Sequence, residues 1–138
     1  MNKPKPTVCA HFENVEVGET IKTLVSSYAK MFDAEPVTEF ACCGVTADIL
    51  VTDSVEMTEK AVTETNAAVL LFYFESAADE SHVDLATRFP KRIKLVRHVS
   101  RVQQFHVSIT IPLIRAIAGA RVVKERRGTE LESITGNL

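Results

Sequence analysis

The chain has 138 residues, a length typical of one domain with a substantial buried core. Its 16 lysines and arginines stand against 18 aspartates and glutamates, and this net charge of −2 gives no electrostatic case for a nucleic-acid partner. No apolar run approaches the roughly 20 residues that cross a bilayer, and the amino terminus lacks a signal-peptide core. We therefore expect a cytoplasmic location and no membrane contact by this segment.

Five segments have the apolar character of buried strands. They lie at residues 7–12, 34–44, 47–53, 67–75 and 91–98. Their apolar runs are mostly continuous rather than alternating, which is typical of a parallel sheet covered on both faces. The second segment has a proline near its start and a glycine at its end, and this favours a position at the edge of the sheet.

Segments with helical spacing separate these strands. Apolar residues three and four positions apart predict helices at 17–32, 54–66 and 76–89. Ser54 has the side chain of an N-cap, so the second of these helices is expected to begin directly after it.

The last helix is harder to place because it contains a proline. Pro112 would cost about 3 kcal/mol inside a helix, so we predict that it is the first helical residue and that the helix ends near Gly119. For residues 99–111 the sequence leaves two alternatives, an extended chain or a separate helical turn. Residues 1–119 are then the domain, and residues 120–138 are a polar tail or an interdomain linker.

Strands that alternate with helices at this spacing predict the α/β class. We expect a doubly wound, five-stranded parallel sheet with about five helices on its two faces, in a three-layer αβα arrangement of the flavodoxin type. In such folds functional groups gather at the carboxyl ends of the strands, where Asp53 ends the apolar run of residues 49–51.

The order of elements over about residues 7–119, with a buried strand that ends on Asp53 and leads into a helix, resembles the receiver domain of response regulators. The resemblance implies a phosphorylation site at the strand ends. In that family two acids after the first strand bind magnesium, an aspartate after the third accepts phosphate, a hydroxyl residue follows the fourth, and a lysine follows the fifth.

The residues of this chain match that set only in part. Asp53 stands in the place of the phosphoacceptor and Glu13 in the place of one acid, so Glu13 and Asp53 are the candidate metal ligands. Arg97 stands where the family has its lysine, and is the candidate phosphate contact. His11 or Phe12 replaces the second acid. The fourth strand ends on aromatic residues where a threonine or serine is expected, and Ser76 is a late substitute for it.

The partial match resembles a degenerate pseudo-receiver of the kind found in hybrid sensor histidine kinases, some of which are membrane-anchored. It implies a non-catalytic module of two-component signalling, without a cofactor, that docks on histidine kinase or receiver domains or forms a homodimer. The docking surface is expected on the last helix and its neighbouring strand. The alternative is an active, atypical receiver phosphorylated on Asp53 with the help of Mg²⁺.

Asp53 also has two simpler interpretations. It is either part of a structural ion pair, with Glu13 and Arg97 expected nearby, or a solvated acid at a strand end. A further hypothesis is a phosphotransfer or redox enzyme of flavodoxin-like architecture that uses Cys9. Because Cys9 lies in the middle of a predicted strand, a buried and inert thiol is expected there. The odd number of cysteines, three, favours reduced thiols.

Overall fold

A computed structural model describes residues 5–37, 47–74, 80–98 and 105–136. Five strands and four helices lie within these ranges. In chain order they are β1 (Thr7–His11), α1 (Val15–Met31), β2 (Glu35–Val37), β3 (Ile49–Thr52), α2 (Val55–Glu64), β4 (Ala68–Phe74), α3 (Glu80–Arg88), β5 (Ile93–His98) and α4 (Phe105–Gly136).

The five strands form one parallel sheet in the order β2-β1-β3-β4-β5. This order confirms the predicted doubly wound α/β fold of the flavodoxin type. Strand β2 lies at the edge of the sheet, as its proline indicates, although the predicted strand continued into residues that lie outside the described ranges. The strand order changes direction between β1 and β3, and this is the switch point of the fold.

Two apolar layers hold the helices on the sheet. On one face the buried side chains of α1 and α4 pack against β1, β3, β4 and β5. On the other face α2 and α3 cover a second cluster that includes Cys9, Leu50 and Leu71. All four residues of β3 are completely buried. Its three apolar residues, Ile49, Leu50 and Val51, belong to these two layers. A strand buried on both faces requires the continuous apolar run seen in the sequence.

Helix α4 differs from its prediction. It begins before Pro112 and runs past Gly119, so both predicted ends are wrong. Ile109, Leu113 and Ile117 are at most 2% exposed, at the spacing of one helical face. Burying each stabilises the fold by roughly 1.5–3 kcal/mol, and together they outweigh the cost of about 3 kcal/mol for an internal proline.

The same helix carries the chain beyond the predicted end of the domain. The division at residue 119 stays a prediction, although the side chains of Arg121 and Lys124 still bond to the body of the domain. Of the helices in the described ranges, none combines the length and apolar character needed to cross a bilayer.

Candidate functional site

The switch point brings the ends of β1 and β3 together. The connection after β1 leads to α1 on one face of the sheet, and the connection after β3 leads to α2 on the other. Open α/β sheets bind their ligands in the crevice between two such connections. Residues 12–14 and 52–54 form these connections, and we call them the switch-point site.

Hydrogen bonds within the β3–α2 turn fix the position of Asp53. The amide of Ser54 donates to Thr52 Oγ1 at 3.0 Å, and the amide of Met57 donates to Ser54 Oγ at 3.1 Å. Thr58 Oγ1 donates to the carbonyl of Ser54 at 2.7 Å. Ser54 is therefore the N-cap that the sequence predicts. Because Thr52, Ser54 and Thr58 are buried, the turn is held from inside the protein.

The carboxylate of Asp53 spans the crevice to the start of α1. Its Oδ1 accepts a hydrogen bond from the amide of Glu13 at 2.8 Å, and its Oδ2 accepts one from the amide of Asn14 at 3.1 Å. Asn14 directly precedes α1, and its carbonyl accepts from the amide of Gly18 at 2.8 Å. The carboxylate thus supplies acceptors for amides at the helix start and lies near the positive end of the helix dipole.

This arrangement differs from the ion pair proposed for Asp53. Among the residues that the structure describes, no ion pair includes Asp53, and its partners are two main-chain amides. Its side chain is half-buried, so it is not a fully solvated acid either. The geometry gives Asp53 a structural task, which is to tie the β1–α1 connection to the β3–α2 turn.

Glu13 and Arg97 lie in different positions relative to Asp53. Glu13 contacts Asp53 through its main-chain amide, while its side chain is exposed. Arg97 is exposed on β5, which β4 separates from β3, so its backbone is two strand spacings, roughly 10 Å, away from β3. The metal-binding role of Glu13 and Asp53 and the phosphate contact of Arg97 stay predictions. Within the described ranges, no three His, Cys, Asp or Glu side chains are grouped to hold a metal ion.

Cys9 has the environment of a core residue. Its side chain is 1% exposed, and burial raises the pKa of the thiol, while the positive charge of Lys22 offsets part of this effect. A thiol whose pKa is raised forms less of the reactive thiolate at neutral pH. These surroundings give no support to an enzyme that uses Cys9 as a nucleophile.

Asp48 is a residue whose role the sequence did not show. It lies at the start of β3, at the amino edge of the sheet, meaning the edge formed by the amino ends of the strands. Its Oδ2 accepts hydrogen bonds from the amide of Thr7 at 2.9 Å and from Thr7 Oγ1 at 3.0 Å. Lys124 Nζ lies 2.9 Å from the same oxygen. Its only sequence signal is an acid directly before a buried strand.

Comparison of the chain with protein-family models, with curated proteins and with solved structures gives no match.

Proposed function

We propose that this chain is a non-catalytic pseudo-receiver, a docking module that binds a histidine kinase or receiver domain in two-component signal transduction. The observation that carries the proposal is the state of Asp53. It stands at the place of a phosphoacceptor, after the third strand, yet both of its oxygens accept hydrogen bonds from main-chain amides.

The amide bonds make Asp53 a poor acceptor of a phosphoryl group. An attacking carboxylate oxygen must approach phosphorus, and the negative charge that gathers there must be offset by cations. Here the approach would compete with the amides of Glu13 and Asn14. In this proposal the fold of a receiver persists, and its aspartate has become a structural link.

Helix α4 supplies the surface for docking. Ile111, Val122 and Val123 are 60%, 45% and 47% exposed on this helix, and α4 packs against β5 of the sheet. Large apolar side chains that stay in water are a common sign of a protein contact. The surface agrees with the expectation that the last helix and its neighbouring strand form the interface.

The amides of Glu13 and Asn14 test directly whether Asp53 accepts a phosphoryl group. Labelled protein is titrated with Mg²⁺ and beryllofluoride, a phosphoryl mimic, while the two amide signals are followed by NMR. Because both amides donate to Asp53, any ligand on this carboxylate must move them. We expect no saturable shift.

A chemical test complements the titration. The chain is treated with acetyl phosphate and Mg²⁺, and its intact mass is compared with that of Asp53→Asn. We expect no hydroxylamine-sensitive adduct on either protein. An adduct on the native chain that Asp53→Asn abolishes would establish the alternative, an active receiver phosphorylated on Asp53.

The docking half is tested by interferometry against histidine kinase and receiver domains from the same organism. Val122→Glu should abolish binding, because it places a charge in the apolar contact. Val83→Glu is the matched control, since Val83 is 53% exposed on α3, in the opposite layer. Equal binding by both variants, or no binding by the native chain, would contradict a docking role for α4.

A further inference from the structure

A second crevice lies at the amino edge of the sheet, on the side opposite the switch-point site. It has a volume of about 620 Å³ and lies between α4 and the segments that lead into β3, β4 and β5. This volume is within the range of small-molecule sites, roughly 300–1,000 Å³. The pseudo-receiver proposal assigns no ligand to this pocket, although Val123 of the docking surface belongs to its lining.

The charge of the pocket is opposite to that of the chain. Four cationic side chains line it, at Lys91, Arg92, Arg115 and Lys124, together with the two carboxylates of Asp48 and Glu64. The lining thus has an excess of two positive charges, whereas the whole chain has a net charge of −2. A concave surface of this kind attracts anions.

Two of the four cations are already engaged by the protein. Lys124 pairs with Asp48, with 2.9 Å between Nζ and Oδ2. The guanidinium of Arg92 donates to the carbonyls of Ala67 and Thr65, at distances of 2.7 to 3.0 Å, and so covers the carboxyl end of α2. These two side chains form the wall of the pocket.

The other two cations are available to a ligand. Within the described part of the chain, neither Lys91 nor Arg115 forms an ion pair or a side-chain hydrogen bond with another residue. Both side chains are exposed at the rim of the pocket. A guanidinium and an ammonium together match a doubly charged acid group.

Small residues create the space between the wall and the rim. Ala47, Ala67, Ala116, Gly119 and Ala120 line the pocket. A Cβ atom built on Gly119 would have no heavy atom within 4 Å, which shows how open this part of the crevice is. The floor is therefore apolar and has room for a carbon skeleton.

We propose that this pocket binds a small organic phosphate, with its dianionic head on Lys91 and Arg115 and its apolar body against the alanine and glycine floor. A phosphate monoester has a charge of roughly −1.5 to −2 at neutral pH, which matches the two free cations. Such a ligand joins α4 to the loop before β5, so its binding stabilises the contact of α4 with the sheet.

The probe for this site is phenyl phosphate, titrated into the labelled full chain and followed by NMR. Inorganic phosphate lacks the apolar body, and benzoate has only one negative charge, so both should bind more weakly. The amides of Gly119, Ala67 and Lys91 are expected to shift together and to saturate with phenyl phosphate.

Variants then test the contact with the phosphate group and the contact with the apolar body separately. Arg115→Gln and Lys91→Gln should each weaken phenyl phosphate about tenfold, which is the usual effect of losing one charge-assisted hydrogen bond. Arg126→Gln is the matched control, because Arg126 is exposed on the same helix and does not line the pocket. Gly119→Leu should block the apolar floor while it keeps a good helix former in α4.

Each outcome decides the proposal. Saturable shifts that Arg115→Gln and Gly119→Leu weaken, and Arg126→Gln does not, would support it. No shift at millimolar phenyl phosphate, or a response equal to that of inorganic phosphate, would overturn it, and so would equal affinity in all variants. None of these outcomes depends on whether Asp53 is phosphorylated or α4 docks on a partner.

Discussion

Asp53 shows at the scale of one residue how the chemistry of a side chain depends on its partners. Replacing it by alanine leaves the amides of Glu13 and Asn14 without their carboxylate acceptor. Because the site is half-buried and water can replace part of the loss, we expect Asp53→Ala to lower the free energy of unfolding by about 1 kcal/mol, as for the loss of a helix cap. Denaturant unfolding measures the change.

The control for this prediction is Glu19→Ala, which removes an exposed acid from α1. This substitution should change the free energy of unfolding by no more than about 0.5 kcal/mol. An increase in stability for Asp53→Ala would contradict the structural role, since residues kept for function often hold a protein below its stability optimum. That result would favour the active receiver.

At the scale of the element, the surroundings of two glycines predict opposite effects on stability when each glycine is replaced by alanine. A Cβ on Gly18 of α1 would lie 2.9 Å from Cβ of the buried Phe12, so Gly18→Ala should cost about 1–2 kcal/mol of stability through overpacking. On α4, a Cβ on Gly119 meets nothing, so Gly119→Ala should add about 0.5–1 kcal/mol through helix propensity. Thermal and denaturant unfolding of both variants measures the signs, and the same sign in both would contradict the packing argument.

The elements also show what a sequence can reveal. Strands β3 and β4 were predictable because residues buried on both faces leave continuous apolar runs. Helix α2 was predictable because Ser54 caps it within the local sequence. Helix α4 was not, because Pro112 is a local signal against a helix, whereas the burial of Ile109 and Leu113 depends on the sheet that they meet.

The candidate site was predictable in its position and not in its bonds. A strand that ends on an acid places Asp53 at the carboxyl edge, which the structure confirms. The groups that donate hydrogen bonds to its carboxylate are the main-chain amides of residues 13 and 14, and a main-chain amide leaves no trace in a side-chain pattern. The pocket at the amino edge was not predictable either, because it forms only when α4 lies across the starts of three strands.

On the scale of the whole molecule, polar contacts at the amino edge fasten α4 to distant parts of the chain. Arg121 donates to the carbonyls of Phe32 and Asp33, at 2.7 and 3.0 Å, just after α1. Lys124 reaches Asp48 and the carbonyl of Lys5, at 2.9 and 3.1 Å. These bonds connect the last helix to the starts of β1 and β3, so the stability of α4 and that of the sheet are coupled.

Asp48 is the centre of this coupling, and its replacement tests it. Asp48→Ala removes the acceptor of Thr7 and the partner of Lys124, all on a side chain that is 28% exposed. We expect the free energy of unfolding to fall by about 2–3 kcal/mol, because hydrogen bonds to a charged and partly buried group are stronger than exposed ones. Asp84→Ala is the control: its ion pair with Arg88 lies on the surface of α3, with side chains 65% and 50% exposed, and should contribute at most about 0.5 kcal/mol.

A double-mutant cycle then isolates the long-range part of this effect. Lys124→Ala alone removes the ion pair and leaves the bonds from Thr7 to Asp48 in place. If α4 is fastened through this pair, the two substitutions together cost less than their sum, by about 0.5–1 kcal/mol. Simple additivity would show that Asp48 stabilises only the β1–β3 contact and that α4 is held by its apolar face and its other polar contacts. Hydrogen exchange of the α4 amides gives the independent measurement, since Asp48→Ala should speed exchange in α4 beyond its effect on α3.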